Sequence, residues 1–129
     1  MGIKYLWDTN TAIYFLQQQF PPNAEKFIDD LLKDERPVIS AITEIELLCW
    51  KTVIEKDLQV LSNFISDSLV RTGTTIKLKT ADIRKAYKFK LPDAIIAGTA
   101  LVYDLTLLSR NMNDFKNIAG LKIINPWDL

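Results

Sequence analysis

Short apolar runs alternate with longer amphipathic segments along this chain, a pattern that predicts an α/β fold with a mostly parallel central sheet. Helices between the strands would flank the sheet on both sides, giving a three-layer α/β/α arrangement. With 129 residues, a single domain over residues 1–129 is expected to bury about two-thirds of the surface that the unfolded chain exposes. The predicted strands occupy residues 3–6, 38–40, 75–78, 106–108 and 122–124.

Turn and capping signals place the helices between these strands. A proline pair ends the first helix, Asn23 is positioned to cap the second, and a turn is expected at Gly73. Pro92 suits the first turn of the last long helix, which is apolar and small-sided and should pack closely on the sheet. The predicted helices occupy residues 11–18, 24–33, 41–53, 55–70, 80–87 and 92–103, with Thr80 capping the fifth.

The chain has no histidine and one cysteine. A Ser-His-Asp triad, a histidine general base and a histidine-ligated zinc are therefore excluded, and acid–base or metal chemistry must use carboxylates. Cys49 has no cysteine partner, and its spacing from Ile45 and Leu48 predicts a core side chain. The single cysteine, the lack of a signal-peptide core and the lack of an apolar run near about 18 residues predict a cytoplasmic protein.

Sixteen basic residues balance sixteen acidic ones, but the charges are segregated. Residues 71–90 carry seven bases against Asp82 alone, whereas residues 22–67 carry ten acids and five bases. A basic surface next to acidic residues suits a polyanion held by its phosphates, although a solvated helix face has the same composition. The basic strip consists of Arg71, Lys77, Lys79, Arg84, Lys85, Lys88 and Lys90, and its candidate phosphate contacts are Arg84, Lys85 and Lys88.

Four acidic residues stand where a predicted strand passes into a helix: Asp8, Glu44, Asp93 and Asp114. Because the carboxyl ends of parallel strands share one edge of a sheet, these side chains are expected to converge there. Taken one at a time, each is also explained as a helix cap, a first-turn acid or a turn residue. Glu46 points elsewhere on its helix than Glu44 and is interpreted as solvated or paired with a base.

Carboxylates about 5 Å apart repel each other by roughly 3 kcal/mol at an effective dielectric constant of about 20, so such a cluster needs something to neutralise it. An all-oxygen set of ligands favours Mg²⁺ or Mn²⁺ over zinc. A hard cation that binds water and phosphate oxygens indicates phosphodiester hydrolysis.

Five segments spread in order along the chain match one family: LWDTNTAIY (6–14), ISAITEIEL (39–47), LPDAIIAGTA (91–100), SRNMNDF (109–115) and GLKIINPW (120–127). The sequence resembles PIN-domain nucleases of the VapC toxin type. The resemblance implies a PIN-like domain and a metal-dependent endoribonuclease that serves as the toxin of a VapBC-type toxin–antitoxin pair. It also implies three partners: a tRNA or rRNA substrate, a small DNA-binding antitoxin and a second copy in a homodimer.

The resemblance assigns roles to the four acids. Asp8 and Asp93 would be the principal Mg²⁺ or Mn²⁺ ligands, Glu44 would complete the acidic triad, and Asp114 would be a fourth, more variable acid. Further candidates for substrate contacts are Asn10, Arg110 and Asn111.

Two other interpretations remain open. A non-catalytic PIN-like binding module would keep the fold but has no reason to keep four repelling acids. A phosphoacceptor receiver domain would need an acidic pair after the first strand, where this chain has only Asp8.

Overall fold

The structure is a computed structural model that describes residues 4–51 and 54–129. Its elements, in chain order, are β1 (Tyr5–Trp7), α1 (Thr9–Leu16), α2 (Pro22–Asp34), β2 (Val38–Ser40), α3 (Ala41–Leu48), α4 (Glu55–Asp67), β3 (Leu69–Arg71), α5 (Thr74–Ala86), α6 (Leu91–Val102), β4 (Thr106–Leu108), α7 (Met112–Phe115), β5 (Ile123–Ile124) and a 3₁₀ turn at Pro126–Asp128. These five strands are all parallel and form one sheet in the order β3-β2-β1-β4-β5. The predicted α/β fold with a parallel central sheet is confirmed.

The side chains of the central strands point alternately to the two faces of the sheet, as the two-residue period of a strand requires. One residue from each of β1, β2 and β4 packs against α5, α6 and α7: Leu6, Val38 and Leu107. The next residue of each strand packs on the opposite face against α1 to α4: Trp7, Ile39 and Leu108. Two hydrophobic cores therefore enclose the sheet, which confirms the three predicted layers.

The third predicted strand is wrong, because residues 75–78 lie in α5 and the third strand is β3. The sequence from Thr75 to Leu78 alternates polar and apolar residues as a strand does. In the structure Ile76 and Ile83 are buried seven positions apart, whereas Leu78 is 65% exposed, so the burial follows a helix. Gly73 precedes this helix with φ of 139°, a conformation that side-chain-bearing residues rarely adopt.

Helix α3 is shorter than predicted and exposes the cysteine. It ends at Leu48, and its predicted end lies outside the described residues. The buried side of α3 carries Thr43 and Leu47, so Cys49 is exposed and the prediction that it is a core residue is wrong. Ile45 and Leu48, on the outer side, are 53% and 65% exposed. The result is an apolar outer surface on α3.

The beginnings of α2 and α5 also differ from prediction. Asn23 lies inside α2 rather than capping it, and its amide donates to the carbonyl oxygens of Trp127, at 3.2 Å, and of Leu129. These bonds tie the C-terminal 3₁₀ turn to α2. Thr80 is a buried interior residue of α5, not its cap.

Helix α6 is the buried central helix that its composition predicts. Its residues from Ile96 to Ala100 are all buried, and Ala94 is fully buried as well. In the part of the chain that the structure describes, no helix is both long enough and apolar enough to cross a membrane.

Candidate active site

Asp8 is held rigidly at the point where β1 passes into α1. Its carboxylate caps α1 by accepting a hydrogen bond from the Thr11 backbone N–H at 2.7 Å. Its own N–H donates to the Leu108 carbonyl at 3.2 Å, and the Thr11 hydroxyl donates to the same carbonyl at 2.9 Å. Only 4% of Asp8 is exposed. The capping role and the position at the carboxyl edge are thus combined in one side chain.

Asp93 reaches the same edge from the first turn of α6. That turn begins at Leu91 and contains Pro92, whose missing N–H leaves no helix hydrogen bond unmade there, as the sequence predicts. Asp8 and Asp93 both line a cavity of about 300 Å³, here called the acidic pocket. Its lining consists of Asp8, Thr9, Asn10, Ile13, Glu46, Asp93, Ile96, Asn111 and Phe115.

The third acid in the pocket is Glu46, not Glu44. Two residues that stand two positions apart on a helix are rotated by about 200° about its axis and face nearly opposite sides. Glu44 and Glu46 therefore cannot both face the same site. Glu46 accepts a 2.6 Å hydrogen bond from the Thr9 hydroxyl, which directs its carboxylate to the pocket. Glu46 is exposed, as expected of a solvated side chain, but it borders the acidic pocket, whereas Glu44 does not.

Asp114 is exposed at the beginning of α7 and lies beside the acidic pocket rather than in it. It shares a second cavity, of about 270 Å³, with Asp93 and with Lys88, Phe89 and Lys90. Asp93 therefore belongs to both cavities and connects Asp114 to the other acids.

The pKa is raised for the buried Asp8 and for the half-buried Asp93. For Asp8 the main cause is burial, which disfavours the charged form, and hydrogen bonds from Ser109 and Thr11 partly oppose it. For Asp93 burial again contributes most, followed by the negative charges of Asp114, Asp8 and Glu46. The site therefore brings together carboxyl groups whose charged forms are disfavoured by burial and by one another's charge.

Within the described residues no basic side chain forms an ion pair with the pocket acids, although the charge of Lys90 partly offsets that of Asp93. The ion pairs of the described residues join Lys26 and Lys33 to Asp30, and Lys122 to Asp104, all of them away from the pocket. Among the same residues, no three carboxylate or cysteine side chains already lie close enough to hold a metal ion by themselves. Mg²⁺ commonly takes one or two protein carboxylates and completes its shell with water. The oxygen donors of Asp8 and Asp93 fit an ion bound in that way.

The polar candidates for substrate contacts occupy different places around the site. Asn10 and Asn111 line the acidic pocket. Arg110, next in the chain to Asn111, lies over the rings of Trp127 and Tyr14, at 5.4 and 5.9 Å from their centroids. Stacking of this kind restrains the exposed guanidinium of Arg110, which lies in none of the cavities that contain the acids.

The basic strip lies mainly on α5 and on the loop before α6. Of its candidate residues, only Lys88 borders a cavity that contains the acids. Arg84 borders a separate, mainly apolar cavity together with Arg71 and Lys77. Lys85 is exposed on the same helix. The strip thus approaches the acids at one end and extends away from them along α5.

Two residues of the pocket, Glu46 and Thr9, were missed as site residues by sequence reasoning. The phase of α3 carried a usable signal, because Glu46 stands three positions after the buried Thr43 and so lies on nearly the same side of the helix. No comparable signal marked Thr9, whose role depends on a contact 37 positions away in the chain.

A parallel sheet with carboxylates gathered at its carboxyl edge defines this chain as an α/β domain with an acidic site. A family model described as "PIN domain" matches residues 5–121. The tRNA(fMet)-specific endonuclease VapC of Salmonella typhimurium (strain LT2) is 31% identical over 94% of this chain and 96% of that protein. The chain belongs to the PIN domain family and is a homologue of VapC.

Solved structures agree with this assignment. DNA-bound VapBC from Salmonella typhimurium superposes with a TM-score of 0.81 at 28% identity, covering 97% of this chain and 99% of that chain. A toxin–antitoxin complex from Klebsiella pneumoniae gives a TM-score of 0.75 at 27% identity and covers 98% of this chain and 100% of the other.

Proposed function

We propose that this chain is a cytoplasmic endoribonuclease that depends on a divalent metal ion, consists of one PIN domain over residues 1–129, and acts as the toxin of a VapBC-type pair. One observation carries the proposal. Asp8, Glu46 and Asp93 come from three separate parts of the chain, line one pocket, and have no ion-pair partner among the described residues. A cluster of this kind is retained most readily where a cation neutralises it.

Asp8 and Asp93 would hold Mg²⁺ or Mn²⁺, and Glu46 takes the place in the acidic triad that the resemblance gave to Glu44. When bound, the metal supplies a water of lowered pKa and offsets charge on the phosphodiester. Asp8 is kept in place by its cap and by Ser109, so it presents a fixed oxygen. Asp114 would act from the margin, through the cavity that it shares with Asp93.

The RNA would bind across the margin of the pocket. Inside the pocket, Asn10 and Asn111 would donate hydrogen bonds to phosphate or sugar oxygens of the RNA. Lys88 would donate to such oxygens in the cavity that it shares with Asp93. Phosphates farther along the RNA would be held by Arg110, Arg84 and Lys85. We propose tRNA as the substrate class, because the Salmonella relative is named as a tRNA(fMet)-specific endonuclease.

Two protein partners are proposed. An antitoxin is supported by the similar structures, which are toxin–antitoxin complexes. A second copy of this chain is supported by the apolar outer surface of α3, where Ile45 and Leu48 are more than half exposed.

The test is cleavage of purified tRNA by the purified protein with Mg²⁺ or Mn²⁺, beside Asp8→Asn and Asp93→Asn prepared in the same way. We expect both variants to lose at least about 100-fold in rate, because each removes a charged ligand for the metal. Equal cleavage by wild type and variants would identify a contaminating nuclease and contradict the proposal.

A further inference from the structure

We propose that Thr9 is a positioning residue that holds Glu46 in the acidic pocket, as the last member of a chain of hydroxyl groups that runs from Ser40 through Thr43. This inference rests on the proposed function, since it concerns the same site. It assigns a task to three residues that are not themselves ligand candidates.

The direction of the hydrogen bonds follows from the chemistry of the acceptor. An ionised carboxylate only accepts, so in the 2.6 Å contact the Thr9 Oγ1 must donate to Glu46 Oε1. The Thr9 hydroxyl has one proton, so in its 3.0 Å contact with Thr43 Oγ1 it accepts and Thr43 donates. Ser40 Oγ then donates to Thr43 Oγ1 at 3.2 Å. All three protons therefore point toward Glu46.

The inner end of this chain is fixed. Ser40 and Thr43 are fully buried. Ser40 caps α3, and its Oγ accepts a 3.1 Å hydrogen bond from the Thr43 backbone N–H, so both hydroxyls are tied to the backbone at the end of β2. Hydrogen bonds that share donors and acceptors in a poorly solvated place strengthen one another.

The Thr9 hydroxyl is available for this task because capping does not use it. Asp8 supplies the side-chain cap of α1, and Thr9 is the first residue after it. The contact joins α1 to α3 across 37 positions of sequence. Glu46 itself is exposed, so without Thr9 its long side chain has several rotamers open to it. A single hydroxyl thus selects the rotamer that faces Asp8 and Asp93.

The experiment compares Thr9→Val, which keeps the shape and removes the hydroxyl, with Thr9→Ser, which keeps the hydroxyl. Mn²⁺ affinity is measured by electron paramagnetic resonance, and kcat and KM for tRNA are measured separately. We expect Thr9→Val to weaken Mn²⁺ binding and lower kcat, each by about 10-fold, because loss of a hydrogen bond to a metal ligand has effects of this size. KM should change little, since neither Thr9 nor Glu46 is one of the proposed RNA contacts. Thr9→Ser should behave as wild type.

A double-mutant cycle separates positioning from packing. In a Glu46→Gln background, adding Thr9→Val should cause no further loss of Mn²⁺ affinity, because the carboxylate to be positioned is gone. If Thr9→Val lowers only the melting temperature and leaves Mn²⁺ affinity and kcat at the wild-type values, Thr9 merely packs α1 on α3 and the inference is overturned while the proposed function stands. Wild-type protein that neither binds Mn²⁺ nor cleaves tRNA would overturn both.

Discussion

Thr80 and Gly98 face each other across the α5–α6 contact with no room for another atom. A Cβ placed on Gly98 would lie 2.9 Å from Thr80 Oγ1 and 3.3 Å from the Thr80 backbone nitrogen. The Thr80 hydroxyl is buried in this contact and has no hydrogen-bond partner among the described residues. The absence of a side chain at Gly98 is therefore what lets the two helices approach.

Gly98→Ala is expected to lower the free energy of unfolding by about 1 kcal/mol. Overpacking of this contact costs roughly 1–3 kcal/mol, and the better helix propensity of alanine returns about 1 kcal/mol. The measurement is urea denaturation of the purified variants.

Thr80→Ala supplies the matched control for that prediction. It removes the atom that blocks the new methyl group and also an unpaired buried hydroxyl, so Gly98→Ala should become neutral or stabilising in the Thr80→Ala background. Equal destabilisation in both backgrounds would mean that Thr80 Oγ1 is not the limiting contact.

Asp8→Asn is expected to stabilise the metal-free protein near pH 7. Burial raises the pKa of Asp8 in the folded state, so the ionised form of its side chain opposes folding. The folded protein therefore loses stability as the pH rises through the folded pKa of Asp8. Asparagine removes the charge and still caps a helix. The gain in melting temperature should shrink as the pH falls and vanish below about 3.9, where aspartate is protonated in both states. A gain that is constant from pH 3.5 to 7 would contradict this explanation.

Mn²⁺ should raise the melting temperature of the wild type but not of Asp8→Asn. An ion that binds only the folded state at 100 times its dissociation constant adds about 2.7 kcal/mol of stability. Thermal melts with Mn²⁺ and with a chelator give the comparison. The same shift in both proteins would place the bound ion away from Asp8, and no shift in either would favour a non-catalytic binding module.

Leu48→Glu tests the apolar outer surface of α3. A buried charge at an interface between two copies is strongly unfavourable, so this substitution should convert a dimer to a monomer in sedimentation measurements. Its fold should be intact, because Leu48 is 65% exposed. Glu44→Gln, on the same helix, should leave the dimer unchanged. A wild type that sediments as a monomer at high concentration would contradict the proposed homodimer.

The sequence predicts the central strands and much of the site for one physical reason. Buried parallel strands such as β2 and β4 are short, mainly apolar runs, and the residues that follow them must lie at one edge of the sheet. Asp8 was located by that rule, whereas Asp93 follows α5 and reaches the edge from the first turn of α6. Strand β3 was missed because it lies at the edge of the sheet, is only partly buried and ends in Arg71, so its pattern lacks the contrast of a core strand.

The third acid could not be located by the same rule. A strand-to-helix position points to the first turn of a helix, where Glu44 lies, but does not specify which side of the helix faces the site. For α3 the choice between Glu44 and Glu46 depends on how the helix is rotated about its axis. That rotation buries Thr43 and Leu47, which is a matter of tertiary packing, and the hydrogen bond from Thr9 to Glu46 is likewise a tertiary contact.

Cleavage of tRNA with Mg²⁺ by Glu46→Gln and by Glu44→Gln shows which of the two carboxylates belongs to the active site. Both substitutions remove one negative charge from the same helix, but only Glu46 lines the acidic pocket. We expect Glu46→Gln to lose about 100-fold in kcat, because it removes a carboxylate from the metal site. Glu44→Gln should retain the wild-type rate. Loss of activity in Glu44→Gln with full activity in Glu46→Gln would contradict the account.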